Sequence, residues 1–184
     1  MSTLRFNTWQ NTGGTEVANS TLGTGKIIAV KHALFTGTQT NSTAGGASFS
    51  ITDLSITHTL ADSANKLIIS AYVGVIANSD DLGEAGIAID DGGTVIGVGD
   101  AAGSRARVNA GGRLANPGDT RIAWGLSTMF VYEPGDTSSH TYTVKAINLS
   151  SATGTIYINR NESDPNNTGV PRGSSGFVIQ EVSA

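Results

Sequence analysis

From residue 26 to residue 182 the chain alternates apolar and polar residues in short runs, and clusters of Gly, Asn, Asp, Ser and Thr interrupt them about every ten residues. Alternation of period two gives each strand one apolar face, and the interrupting residues are those that adopt turn backbone at little cost. No stretch shows three turns of helical periodicity with caps, and no segment recurs at a fixed spacing. The pattern predicts an all-β chain of about nine or ten strands, folded as a sandwich, jelly roll or barrel.

The individual strands are read as 26–35, 47–52, 54–60, 66–76, 84–90, 94–98, 121–132, 141–149, 155–159 and 177–182. The segment 66–76 is apolar on both faces, which predicts a central strand. Asp91-Gly92-Gly93 between two strand patterns marks a β-hairpin. Asp62-Ser63-Ala64-Asn65 and Glu133-Pro134-Gly135-Asp136 are turns, the second with Pro presetting φ and Gly supplying a positive one. Residues 36–46 and 99–119 are read as loops. Residues 1–25 stand apart: Leu4 and Phe6 alternate with polar neighbours, Trp9 follows, and a polar Gly-rich run leads to Gly25. This predicts two parts, an extended arm and linker (1–25) and a β domain (26–184). Fully stretched, the arm spans up to about 80 Å.

The chemical inventory is sparse. The chain has no cysteine, so neither a disulfide framework nor a thiolate metal site is expected. His32, His58 and His140 lie on separate strands without metal-ligand spacing, and the acidic pairs sit in turns. Gly97, Gly99 and Gly103 follow a strand but lack both the phosphate-loop spacing and a following helix. There is no Gly-x-Ser-x-Gly elbow. These absences predict no metal, no cofactor and no enzyme activity. A net charge of −4 argues against nucleic acid, and Arg105, Arg107 and Arg113 have no interleaved aromatics. The longest apolar run, 67–76, is too short to span a bilayer, so no membrane insertion is expected. Only 38% of the 184 residues are hydrophobic and 24 are glycine. A chain with so much backbone entropy to lose gains from burying surface between subunits, which predicts a homo-oligomer. The opening Met1–Phe6 lacks the apolar stretch of a secretory signal, so a protein of this kind working outside a cell is not expected to leave by the ordinary secretory route, and release by lysis as part of a particle would fit.

The opening Met1-Ser2-Thr3-Leu4-Arg5-Phe6-Asn7-Thr8-Trp9-Gln10, followed by Asn11-Thr12-Gly13-Gly14, resembles the start of tailed-phage tail-fibre proteins, especially those of cyanophages and marine phages. The stretches Ser63–Ile69, Ile96–Arg105, Thr155–Arg160 and Phe177–Val182 are similar to small β-sandwich modules of the same virion proteins. Phe6 stands where that family carries a small apolar residue, Trp9 where Ile is common, and no long shaft separates arm from head. The resemblance implies a trimeric jelly roll of the tumour-necrosis-factor-like (TNF-like) type with an arm that attaches to the virion. The function expected is a short tail fibre or adhesin. Leu4, Phe6 and Trp9 would dock on other virion proteins. Loops bearing Arg105, Arg107, Arg113, Asn161 and Asn166 would lie distally and contact a host-surface glycan. A capsid decoration (cement) protein and a polysaccharide-acting enzyme are the alternatives.

Overall fold

A computed structural model describes residues 25–79, 84–113 and 123–184. These residues form eleven strands and no helix, so the chain is all-β. In chain order the strands are β1 (Ile27–Phe35), β2 (Gln39–Thr43), β3 (Ser48–Thr59), β4 (Lys66–Asn78), β5 (Glu84–Asp91), β6 (Thr94–Ile96), β7 (Ala110–Arg113), β8 (Trp124–Tyr132), β9 (Ser139–Asn148), β10 (Gly154–Ile158) and β11 (Ser175–Val182). A six-stranded sheet runs β1-β11-β4-β10-β2, with β8 paired to the free side of β4. A five-stranded sheet runs β3-β9-β5-β6, with β7 also on β5. Among the described residues, neighbouring strands pair antiparallel throughout.

The two curled sheets enclose one core. Inward-facing Leu67, Ile69, Ala71 and Val73 of β4, with Phe177 and Ile179 of β11, meet Leu54 and Ile56 of β3, Ile87 and Ile89 of β5, and Tyr142 and Val144 of β9. Each fully buried large side chain contributes roughly 1.5–3 kcal/mol of transfer free energy. The centre falls where the apolar run 66–76 predicts it: β4 pairs with β8, β10 and β11. The β5–β6 hairpin closes through Gly92 (φ 57°) and Gly93 (φ 105°), the two positive φ values that a primed two-residue turn needs.

Three sequence expectations are corrected. The runs 47–52 and 54–60 are one strand, β3. Its register shifts between Ser50 and Ser55, around Asp53 with φ 59°. This bulge lets Ile51 and Leu54, three residues apart, both point inward. Residues 39–43, read as loop, form β2 on the outer side of β10. Residues 110–113, also read as loop, form β7. β6 and β7 lie on the same side of β5, and the segment 97–109 between them departs from and returns to that strand. Asn109 closes the gap: its Oδ1 accepts from the Ile89 N–H at 2.7 Å, and its Nδ2 donates to the carbonyls of Ile96 and Gly97.

Candidate interaction surfaces

One end of the molecule carries the junction with residues 1–24. Gly25 N–H donates to the Ser183 carbonyl at 2.8 Å, and Ser183 N–H donates to the Lys26 carbonyl at 2.9 Å. Gly25 and Ala184 therefore lie at the same end as the 60–65 and 133–138 turns. Leu4, Phe6 and Trp9, the expected docking residues, fall outside the described residues.

Two polar clusters brace this end. Glu181, 2% exposed on β11, accepts from His58 Nε2 (2.9 Å), Ala61 N–H (2.8 Å) and Asn65 Nδ2 (2.6 Å). Burial pushes its carboxyl upward, but these hydrogen bonds outweigh that and hold it below the usual carboxylate value. Asn65 Oδ1 in turn accepts from Ala184 N–H. In the second cluster, His140 Nδ1 faces Asp91 at 2.9 Å and Nε2 faces Asp136 at 3.1 Å, while Tyr132 donates to Asp91. Hydrogen bonding to Asp91, then Asp136, raises the imidazole above its ordinary value. Asp136 is lowered by the Ser138 backbone N–H and then by His140. His58 and His140 thus have structural partners. Among the described residues, no group of three or more His, Cys, Asp or Glu side chains could hold a metal ion, and no helix could cross a membrane.

The opposite end of β1 and β11 is organised by Asn159, beside Val75 of β4. It sits at φ 61° where β10 stops, is fully buried, and donates from Nδ2 to the carbonyls of Phe35 and Gly37. Its Oδ1 accepts from Ser175 Oγ at 2.7 Å, so one amide ties the ends of β1, β10 and β11 together. The loop 160–174 springs from this knot. Asp164 receives Arg172 through two nitrogens, at 3.2 and 2.6 Å, and Arg172 holds its carboxyl below the ordinary value. Arg160 lies 5.2 Å from the centre of the Tyr157 ring. Asp164, Pro165, Asn166, Asn167, Val170 and Arg172 line an open polar recess of about 400 Å³. Amide donors, a guanidinium and a carboxylate at one rim suit a hydroxyl-rich ligand. Asn166 is exposed there, whereas Asn161 is 3% exposed and offers a ligand almost nothing.

The arginines do not form one patch. Arg105 and Arg107 share a recess of about 200 Å³ with Gly99, Asp100, Ala102, Ala106 and Val108, and Arg107 Nε is tied to the Gly99 carbonyl at 2.8 Å. Arg113 stands apart on β7, 3.9 Å from Glu84. The 97–109 segment leaves the flank of β5 partway along its length, so its described residues are lateral and not distal.

The outward faces of the two sheets differ. On β1-β11-β4-β8 the register aligns three outward rows: Val30–Gln180–Ile68–Val131, His32–Val178–Ser70–Met129, and Leu34–Gly176–Tyr72–Ser127. Met129 is 75% exposed, Val131 60%, Val30 58% and Leu34 54%. On β3-β9-β5 the outward side chains include Ser55, Thr57, Thr141, Thr143, Lys145 and Asp90. Ser55 and Thr143 hydroxyls meet at 3.0 Å, Thr57 and Thr141 at 2.9 Å, and Lys145 pairs with Asp90 at 3.0 Å. Sequence reading assigned no role to the apolar face. Its signal was there in the alternation of β1, where Ile28, Val30 and Leu34 share the parity opposite to the buried Phe35.

No protein-family model matches this chain, and no curated protein matches it either.

Proposed function

We propose that this chain is a phage virion structural protein of the short tail-fibre or adhesin type. It acts as a homotrimer of jelly-roll heads, attached by residues 1–25 and touching the host surface with its far loops. The observation that carries this reading is polarity. The junction with residues 1–24 lies at one end of β1 and β11, and the polar recess around Asp164 and Asn166 lies at the other. The eight residues of β11 alone separate the two by about 25 Å. A protein that attaches with one segment and touches a surface with another needs this separation.

The strand order supports the jelly-roll form. β3, β4 and β5 follow one another in the chain but alternate between the two sheets, as in a rolled double Greek key. The recess chemistry supports a glycan as the ligand, and many copies on one particle would turn weak sites into avid attachment. Leu4, Phe6 and Trp9 would anchor the arm on other virion proteins.

Cryo-electron microscopy of the purified particle, with quantitative mass spectrometry of copy number, tests the reading. A few copies at the tail are expected. Hundreds of copies over the head would make the chain a decoration protein, and absence from the particle would overturn both. Trp9→Ala should lower incorporation; incorporation at the wild-type level would remove the anchor role.

A further inference from the structure

We infer that the outward face of β1-β11-β4-β8 is the surface on which copies of this chain pack against one another, about a threefold axis. The inference rests on the homotrimeric part of the proposed function and gives it a location.

An antiparallel sheet with one solvated face keeps polar residues outward. The β3-β9-β5 sheet obeys this rule, and the β1-β11-β4-β8 sheet breaks it at Val30, Leu34, Ile68, Tyr72, Met129 and Val131. These positions come from three strands distant in sequence, so the face is a property of the fold and not of one apolar run. Its three aligned rows contain no Asp, Glu, Lys or Arg. That composition favours self-packing, because the residues nearest a symmetry axis face their own copies and a fixed charge there would face the same charge. In the Leu34 row the Tyr72 ring lies over Gly176, in the space that a Cβ would need.

Four strands across and seven residues along give a face of about 19 by 24 Å, roughly 450 Å² in projection. A stable interface buries about 800 Å² per partner. One face against one face falls short. In a closed ring of three, each copy shares this face between two neighbours, so the sandwich edges that flank it must supply the rest of the contact.

The test uses the full chain and light scattering on a sizing column. The wild-type protein should have three times the 18.8 kDa chain mass. Val30→Glu combined with Met129→Glu should give the single-chain mass with an unchanged far-ultraviolet circular dichroism spectrum. Thr57→Glu on the other face should keep the wild-type mass. Because the chain has no cysteine, Ser70→Cys offers a second measurement that needs no disruption: a short bismaleimide should link copies through it, and should not link them through Thr57→Cys. A wild-type trimer that ignores the double substitution and does not link through Ser70→Cys overturns this interface and leaves the virion reading standing. A wild-type monomer overturns the inference and the trimer together. A monomer whose Ser70→Cys thiol resists maleimide would assign the face to another part of the same chain, and also overturns the inference. Absence from the particle, by contrast, tests the virion reading alone.

Discussion

The two outward faces of this molecule are built on the same backbone grammar and end in opposite chemistry. β9 sends Thr141, Thr143 and Lys145 outward, bound to Thr57, Ser55 and Asp90 of neighbouring strands. β8 sends Met129 and Val131 outward, and among the described residues nothing covers them. The core between the sheets serves both. The difference separates two tasks onto alternate residues of one strand: on β11, Phe177 and Ile179 hold the subunit together, while Val178 between them lies on the surface that we assign to assembly.

The largest effects should come from breaking that alternation. Phe177→Ala removes a fully buried ring and should cost about 3–5 kcal/mol of unfolding free energy. Val178→Glu should leave the stability of the single subunit within about 1 kcal/mol while lowering the oligomer mass. Denaturant unfolding, with mass measured in parallel, checks both, and equal stability losses at the two positions would erase the distinction. Next in size is Glu181→Gln, which keeps the shape but sets an NH2 group against donors that now reach a carboxylate. A loss of about 1–3 kcal/mol is expected, and a variant as stable as wild type would show that the Glu181 cluster does not brace the terminal end.

A smaller effect should appear with pH at the same end. His140 has a raised folded value, so its contribution is complete below about 6.5 and is lost as pH rises through the folded value. Asp136 is lowered, so its share is present above about 3.8 and is lost as pH falls through the folded value. The clamp is therefore strongest between these limits. Melting temperature should decline above pH 6.5, and His140→Asn should flatten that decline; parallel wild-type and variant profiles would remove His140 as its cause. The smallest change belongs to the hydroxyl face. Thr57→Val with Thr141→Val should shift stability by no more than about 1 kcal/mol, since a cross-strand Thr pair contributes only that much. A larger loss would mean that the polar face, too, holds the subunit together.

Much of the strand plan was legible because burial writes itself into alternation. The two-sided apolar run of β4 announced a central strand, and Asp91-Gly92-Gly93 announced a hairpin. What escaped notice was held by backbone and amides, which leave no hydrophobic signature. β2 reads Gln-Thr-Asn-Ser-Thr and β7 reads Ala-Gly-Gly-Arg. The Gln39 side chain even bonds like a short strand, donating to the Ser50 carbonyl and accepting from Thr52 N–H. Asn148, which in sequence heads an ordinary Asn-x-Ser triplet, is fully buried and donates to the carbonyls of Thr43 and Ala152. Asn109 and Asn159 act likewise. Asparagine is so common in exposed turns that composition alone does not mark the few that replace a ladder bond. For the same reason Asn161 and Asn166 looked equivalent as contact residues, although only Asn166 reaches the rim of the recess.

The opposed placement of the arm junction and the Asp164 loop also sets how the molecule carries load. A pull entering at Gly25 and leaving through the loop 160–174 runs along the strands. The β1–β11 register, from Ile27–Val182 to Phe35–Ser175, then resists in shear, with its hydrogen bonds strained together. A pull that separates residue 25 from residue 184 meets the same ladder at one end and opens it bond by bond. The same two strands are a strong tether in the first direction and a zipper in the second.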